Sequence, residues 1–368
     1  MYEYKISGVD LKISKDEFGY QEVLDDFKNA KKIRIVTFNV TNNPKDKLFE
    51  KLRDLEGVDI QFITNIPSRL EWYATSSKGE YLKKTARNTI EMYVDKLNPK
   101  NFDNIIPFFN FNNHAKIIGS ENIVYIGSQN FSVSSANNYE AGIITRDKEF
   151  IKDLYESFFE DLKQNSEPYF KDGYNEAKLF ISSILSRLTN HYRNIVDSLF
   201  REYKGNLVFI NDETFIGVND LSELEYDLYE LQRIQSVIEN IDIDDNDMEK
   251  LNETLCELVS EIDTNEIIRL IEEESDIFNY VGYDYQNEFD KAFEEYSMEA
   301  YDEYLDGYVE TANDEAREVL EDLCSLVESE VFELKDKLNE VNSTLKNALD
   351  MLERYYEVAI NNGIDNTK

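Results

Sequence analysis

Histidine is scarce in this chain, and one of its two histidines lies among residues that could carry out phosphate chemistry. His114 is followed two residues later by Lys116 in the stretch HAKIIG, and Ser128 and Asn130 come shortly afterwards in GSQN. An imidazole can act as a nucleophile or a general acid near neutral pH. A lysine, a hydroxyl and a carboxamide can bind phosphate oxygens and the negative charge that builds on them. These four side chains are the groups that a phosphodiester site would use.

Short strand patterns predict how these side chains are held. The runs NIIPFFNF, HAKIIG, NIVYIGS and EAGIITRD read as four strands separated by Asn, Gly and Ser turns. Alternate residues of a strand face the same side. We therefore expect His114 and Lys116 on one strand face, and Ser128 and Asn130 in the same arrangement after the next strand.

The elements around this region alternate between strand and helix. KIRIVTFNV (32–40) and VDIQFITNI (58–66) are apolar, β-branched runs of strand length, and the segment between them has helical spacing that ends at Gly57. Helical patterns recur at 79–97 and 148–164. Strands flanked by helices predict an α/β/α sandwich around a mixed sheet.

The charge distribution divides the chain into two parts. Residues 1–165 contain 23 Lys and Arg against 25 Asp and Glu, whereas the remainder contains 16 against 51, out of a net charge of −37. We predict a catalytic domain over 1–165 and an acidic, mostly helical domain over 170–368, with a small β-hairpin near 205–218. A terminal helix from about 311 to 360 carries Leu and Val at three- and four-residue steps, which predicts packing within the domain or a coiled-coil seam.

The spacing of the polar residues resembles the motif of the phospholipase D superfamily: His-x-Lys, four residues, Asp, six residues, Gly-Ser-x-Asn. Here Glu121 stands at the Asp position, and five residues separate it from Gly127. The resemblance covers roughly residues 20–165. It implies a phospholipase D-like fold and catalysis without a metal or other cofactor. In the family that acidic residue is largely structural, so these two departures leave the catalytic prediction in place.

The resemblance also implies a role for each site residue. His114 would form a phosphohistidine intermediate, and Glu140 would hydrogen-bond to the histidine and orient it. Lys116, Ser128 and Asn130 would bind the phosphate. A lone strand histidine is more often structural, and Gly-Ser-x-Asn alone is an ordinary turn, so the prediction depends on the matching positions taken together.

Family members use two such motifs, and this chain shows one. The second histidine, His191, lies in a helical pattern with no lysine two residues later, and we interpret it as structural. A single-motif chain can complete the site by pairing two copies around a two-fold axis. We therefore predict a homodimer or a higher homo-oligomer.

The resemblance also implies a class of substrate. A compact single-motif domain is most similar to the bacterial nuclease branch, which includes restriction and phage-defence enzymes. We predict an endonuclease acting on DNA or RNA, with Lys83, Lys84 and Arg87 as substrate-binding residues, although such a cluster is often a solvated helix face. The alternatives are a phospholipid hydrolase and a catalytically inactive protein that serves interaction or assembly.

The remaining features bear on partners and compartment. The acidic half would bind a basic protein, build larger oligomers or occupy the substrate groove as a phosphate mimic. Cys256 and Cys324 lack paired metal or redox spacing and are expected to be reduced thiols. The acidic stretch 242–253 has Asp247 where a calcium loop needs glycine, so we expect a helix start there. No apolar run approaches the ~20 residues of a membrane span, and we expect a cytoplasmic protein.

Overall fold

The structure is a computed structural model that describes residues 8–41, 46–67, 89–98, 105–169, 173–210, 216–239, 241, 246–297 and 305–361. Its contacts divide the chain into two compact units. The first contains the described residues up to Ser186 and those between 236 and 252, and the second contains the described residues of 187–235 and 253–361. The division falls inside a helix, so the predicted domains 1–165 and 170–368 stay a prediction.

Within the described residues, the first unit is built on an eight-stranded mixed sheet. The strands are β1 (Val9–Ser14), β2 (Lys32–Thr37), β3 (Asp59–Thr64), β4 (Ile105–Phe109), β5 (Ile117–Ser120), β6 (Val124–Gly127), β7 (Glu140–Thr145) and β8 (Glu167–Pro168). Their order is β1-β7-β6-β5-β2-β3-β4-β8; β2, β3 and β4 are parallel, and the other neighbours are antiparallel. The predicted mixed sheet is confirmed.

Helices accompany these strands. They are α1 (Gln21–Asp26), α2 (Lys47–Arg53), α3 (Thr89–Lys96), α4 (Lys148–Asp153) and α5 (Glu160–Gln164), with a π-helical turn at Leu154–Phe159 between the last two. Helix α2 begins where the Asp46 side chain accepts a hydrogen bond from the backbone N–H of Leu48. The parallel pairing of β2 with β3 across α2 confirms the predicted β-α-β unit.

Both faces of the central strands are buried, which accounts for their nearly continuous apolar sequences. One face packs against α4 and the π-helical turn through Val36, Ile63, Ile117, Val124, Phe150, Ile151, Leu154 and Phe159. The opposite face carries an aromatic cluster in which Phe131 packs against Tyr20, Phe49 and Phe62, with ring centroids 5.8 to 6.1 Å apart. The α/β/α layering predicted for this region is therefore confirmed.

The rest of the described chain is mainly helical, as predicted. Its helices are α6 (Gly173–Leu199), α7 (Val218–Leu231), α8 (Ile234–Glu239), α9 (Asn246–Ser260), α10 (Thr264–Ile271), α11 (Asp276–Val281), α12 (Tyr285–Ser297) and α13 (Leu305–Asn361). Among the described helices, none is both long enough and apolar enough to span a membrane. Cys256 and Cys324 are not joined in a disulfide.

The long helix α13 packs against α10, α11 and α12 of its own unit. The apolar stripe of the predicted seam is buried there, since Val327, Val331, Leu334 and Leu338 are each 0% exposed. Of the two alternatives for the terminal helix, the structure therefore supports packing within the domain.

The predicted hairpin at 205–218 lies earlier in the chain. Strands β9 (Phe200–Tyr203) and β10 (Asn206–Phe209) pair antiparallel around a tight turn at Lys204 and Gly205. Both turn residues have positive φ, at 52° and 83°, which matches the right-handed twist of a two-residue hairpin. The first strand follows directly on α6, and its sequence continues the helical composition before it.

A buried ion cluster joins α6 to α7 in the second unit. Nη1 of Arg187 lies 2.7 Å from Asp227 Oδ1 and 2.7 Å from Glu230 Oε2, and His191 Nε2 lies 3.0 Å from Asp227 Oδ2. Burial acts to raise the pKa of Asp227, but Arg187 and His191 hold it below its usual range. His191 therefore contacts a structural carboxylate, which agrees with the interpretation from sequence.

Replacing the cation of this cluster should destabilise the helical unit strongly. Asp227 and Glu230 are 0% and 1% exposed, and Arg187→Met leaves both carboxylates buried without the guanidinium. Breaking a buried pair in this way costs about 3–5 kcal/mol. Urea unfolding followed by circular dichroism measures the loss. Arg193→Met, on the exposed face of the same helix, is the control and should change stability by less than about 0.5 kcal/mol; equal effects of the two variants would contradict the prediction.

Candidate functional site

His114 and Lys116 lie in the segment that leads into β5, at the end of the sheet where the parallel strands β2, β3 and β4 finish. The Lys116 Nζ is 3.1 Å from His114 Nδ1 and donates to the backbone oxygen of His114 at 2.6 Å. Both residues were expected on a strand, but β5 begins one residue later, at Ile117. The structure nevertheless brings the two side chains into contact.

Lys116 determines which ring nitrogen of His114 carries the proton. An ammonium group only donates hydrogen bonds, so Nδ1 of His114 accepts from Lys116, and the neutral ring carries its proton on Nε2. Partial burial lowers the pKa of His114, and the positive charge of Lys116 lowers it further. Histidine ordinarily titrates at about 6.5, so His114 is held as the neutral imidazole at neutral pH while its side chain remains exposed.

Lys116 itself is buried, with 8% of its surface exposed. Burial lowers the pKa of Lys116, and the carboxylate of Glu140 opposes that change. The ammonium group also lies 5.2 Å from the centre of the Phe38 ring, whose centroid is 4.5 Å from that of His114. Phe38 therefore contacts both residues of the pair and limits where each can move.

Asn130 links the motif to the end of β2. Its Oδ1 accepts hydrogen bonds from Thr37 Oγ1 at 3.3 Å and from the backbone N–H groups of Phe38 and Asn39 at 3.1 and 3.3 Å. Within the described part of the chain, the Nδ2 of this side chain has no hydrogen-bond acceptor. A carboxamide anchored through its oxygen presents its NH₂ group as a donor, which is the group that a phosphate oxygen requires.

Ser128 and Glu140 form a second contact pair, at the adjoining ends of β6 and β7. The hydroxyl of Ser128 donates to Glu140 Oε2 and accepts from the backbone N–H of Ala141 at 3.0 Å. Glu140 was expected to orient His114. Among the described residues its carboxylate hydrogen-bonds to Ser128, and the structure does not bring it to the imidazole.

Several residues that hold the loops of the site were not predicted from the sequence. Gln129, the variable residue of Gly-Ser-x-Asn, is fully buried; it accepts from Gly19 N at 2.7 Å and donates to Glu17 O at 3.1 Å. Asn113 donates to Thr37 O at 2.8 Å and accepts from Ala115 N at 3.0 Å. Both side chains hold the loops that carry the motif. The local signal for them was weak, because each sits in a polar stretch that reads as a turn.

Gly127 is required by close packing. A Cβ at this position would lie 2.6 Å from the carbonyl oxygen of Ala141, a distance that only a residue without a side chain permits. Glu121, the residue at the family's Asp position, accepts from the backbone N–H groups of Lys31 and Lys32 at 2.9 and 3.0 Å. Its contacts are therefore at the opposite end of β5 from His114, where it holds the start of β2.

The predicted substrate-binding residues Lys83, Lys84 and Arg87 lie outside the described residues. Their assignment stays a prediction.

Comparisons with known proteins give a family match over part of the chain. Residues 23–162 match the family described as "Cardiolipin synthase, PLD-like domain", a span that contains all the motif residues from His114 to Glu140. A comparison with curated protein sequences finds no match.

Solved structures also resemble part of the chain. Nuc from Salmonella typhimurium, a phospholipase D family member, is 18% identical over 44% of this chain and 97% of its own, with a TM-score of 0.30. NucT from Helicobacter pylori is 16% identical over 43% and 98%, with a TM-score of 0.29. Phosphatidylserine synthase of Haemophilus influenzae Rd KW20 is 16% identical over 44% and 40%, with a TM-score of 0.31. By the family match, residues 23–162 of the chain, which contain the His-x-Lys and Gly-Ser-x-Asn residues, form a phospholipase D-like domain.

Proposed function

We propose that this chain is a metal-independent phosphodiesterase that cleaves nucleic acid in a site shared by two copies of the chain. The observation that carries the proposal is the contact between an exposed imidazole, held neutral, and a buried ammonium group 3.1 Å away. The imidazole supplies a nucleophile, and the ammonium supplies positive charge where a phosphate would gain negative charge.

The reaction needs two imidazoles in different states. Nε2 of one His114 attacks phosphorus, forming a P–N bond as the P–O bond to the leaving group breaks. The leaving oxygen takes the Nε2 proton of the other His114, and Nδ1 of that ring takes a proton from its own Lys116, so that the ring stays a neutral imidazole. Nε2 of that second imidazole then removes a proton from water as Nδ1 returns its proton to Lys116, and the resulting hydroxide attacks phosphorus and displaces the first imidazole. The first imidazole leaves with its electron pair restored, so the protons and charges balance over the cycle.

The geometry of Lys116 supports one of these states directly. With Nδ1 occupied by the ammonium group, the neutral His114 carries its proton on Nε2, and it acts as the acid while Nδ1 takes a proton from Lys116. The nucleophile needs the other tautomer, with Nε2 unprotonated. Transfer of the Lys116 ammonium from Nδ1 to a phosphate oxygen would release Nδ1 to take the proton, so substrate binding and activation of the nucleophile would occur together.

Phosphate binding would use the remaining donors of the site. The Nδ2 of Asn130 is oriented by three hydrogen bonds to its oxygen. The Ser128 hydroxyl is held by Glu140 and Ala141 and would bind phosphate once its proton turns away from the carboxylate. Glu140 would then serve chiefly by placing Ser128 and by balancing the charge of Lys116.

Nucleic acid is the substrate predicted from the sequence, and the family description favours a second candidate, a phospholipid. The two are separated by incubating purified protein with single- and double-stranded DNA, RNA and phospholipid vesicles. We expect cleavage of nucleic acid that persists in EDTA. Cleavage restricted to phospholipid would identify the second candidate, and no turnover on any substrate would support the inactive interaction protein. Roles in phage defence, and a basic partner for the acidic half, stay predictions.

The shared site predicts how activity depends on the fraction of intact chains. Wild-type and His114→Ala chains are unfolded in urea, mixed in equal amounts and refolded together. If each site needs His114 from two copies, about a quarter of the sites retain both, by random pairing around a two-fold axis. Activity should therefore fall to about one quarter of that of the same total amount of refolded wild type. A fall to one half would show that each chain works alone. Mixing with Asn112→Ala, an exposed neighbour outside the site, is the control and should leave activity unchanged.

A further inference from the structure

Strand β1 forms an open edge of the sheet. Among the described strands it has β7 on one side and no strand on the other. Three apolar residues alternate along it, and their side chains are exposed: Val9 at 42%, Leu11 at 68% and Ile13 at 70%. An exposed apolar edge strand is a template for pairing with another strand, and soluble proteins usually protect such edges.

The exposed apolar face continues from β1 onto its neighbour. In the ladder Leu11 is opposite Ile143 and Ile13 is opposite Ala141, so these side chains share one face. The same face of the central strands is covered by α4 and the π-helical turn. The exposure of Leu11 and Ile13 shows that this cover does not extend to the edge.

Two β1 strands that run antiparallel to each other have complementary side chains. In an antiparallel pair of two β1 strands with Leu11 on the two-fold axis, Val9 stands opposite Ile13 and Asp10 stands opposite Lys12. The apolar residues of both strands fall on one face, and each aspartate meets a lysine on the other. Asp10 and Lys12 already contact Arg146 and Glu22 within the chain, at 3.4 and 2.6 Å. Their side chains are 58% and 32% exposed and can take a second partner.

We propose that β1 pairs antiparallel with β1 of a second copy of this chain, in the register centred on Leu11. The two copies would then share one continuous sheet across the interface. An opposite-charge pair directly across two strands stabilises the pairing, and a like-charge pair opposes it. A neighbouring register that places Leu11 opposite Lys12 would turn the apolar residues of one strand to the charged face of the other. The charge pattern therefore favours a second copy in this register as the occupant of the edge.

This interface is separate from the shared catalytic site. Ser14, at the end of β1, is opposite Glu140, so the site lies beyond that end of the strand. Antiparallel pairing through Leu11 places the two Ser14 ends on opposite sides of the axis, and the two sites are kept apart. The proposal thus goes beyond the proposed function, and a chain with both interfaces would assemble into a tetramer or a longer array.

Cysteine cross-linking tests the register. Leu11→Cys chains oxidised with copper-phenanthroline should form a disulfide dimer, because directly opposed Cα atoms are about 4.5–5.5 Å apart. Val9→Cys and Ile13→Cys should cross-link when mixed. Neither should cross-link alone, since their own copies are about four residues apart along the strand, roughly 13 Å. Wild type, with Cys256 and Cys324, is the background control. No cross-link at position 11, or cross-linking of Val9→Cys alone, would overturn the proposal.

A charged substitution on the two-fold axis of the β1 pair tests the assembly without oxidation. Leu11→Glu puts two carboxylates opposite each other in the pair, at a position exposed in the single chain. Light scattering should show the molar mass of the wild-type assembly falling by at least half. Leu326→Glu, an exposed leucine of α13, is the matched control and should leave the mass unchanged. An unchanged mass for Leu11→Glu would overturn the proposal, whereas the activity of mixed His114→Ala chains, which tests the shared site, would be unaffected by that outcome.

Discussion

His114→Ala should lower turnover by at least about 10⁴-fold while leaving the fold intact. In a site shared by two copies the substitution removes the nucleophile and the acid together, and losses of this size are typical when a covalent catalytic unit is disabled. The ring is exposed, and its contacts are with Lys116 and Phe38 rather than with the core. The melting temperature should therefore change little.

Two measurements make this expectation decisive. Single-turnover cleavage by wild type, quenched in alkaline denaturant because phosphohistidine is acid-labile, should leave labelled phosphate on the peptide that contains His114. Asn112→Ala, at an exposed position two residues away, is the control and should retain wild-type turnover. Activity of His114→Ala within about tenfold of wild type would remove the catalytic assignment, whatever the substrate.

The central sheet was predictable because its strands are buried on both faces. β2 and β3 read as mostly apolar, β-branched runs, and Ile35, Ile60 and Phe62 are indeed fully buried. β1 was not predicted, since its three apolar residues alternate with charged ones in a short segment at the open edge. The first hairpin strand was missed because Phe200–Tyr203 continues the helical composition before it, and only the turn at Lys204 and Gly205 separates them.

The sequence predicted which residues form the candidate site better than it predicted which of them contact each other. The i, i+2 spacing of His114 and Lys116 was sufficient to put them together, because even a short extended segment turns both to one side. The partner of Glu140 depends on strand order: β6 neighbours β7, so its carboxylate meets Ser128. Phe38 contacts His114 although the two residues are 76 positions apart in sequence. The contact forms because the ends of their strands lie side by side in the sheet, and a local sequence pattern does not predict which strands are neighbours.

Lys116 connects these contacts, and its removal has the second-largest expected effect. Lys116→Met keeps the length of a buried side chain and deletes its charge. The loss of a preorganised positive group beside the reacting phosphate should lower kcat by about 10²–10³-fold. The packing against Phe38 is kept, so stability should change far less than activity. Lys148→Met, an exposed lysine at the start of α4, is the matched control and should leave kcat unchanged.

The same substitution should move the pKa of His114 upward. Partial burial and the charge of Lys116 both lower that pKa in the wild type, and Lys116→Met removes the second cause. A neutral imidazole exists above its pKa, so the acidic limb of the kcat/KM profile should shift to higher pH. Nuclear magnetic resonance of ¹³C,¹⁵N-histidine is simple in a chain with two histidines, and His191→Gln assigns the signals. The wild-type spectrum should show His114 with its proton on Nε2, because Lys116 occupies Nδ1. A pKa that stays fixed or falls in Lys116→Met, or a wild-type proton on Nδ1, would contradict the proposed control of the imidazole by the lysine.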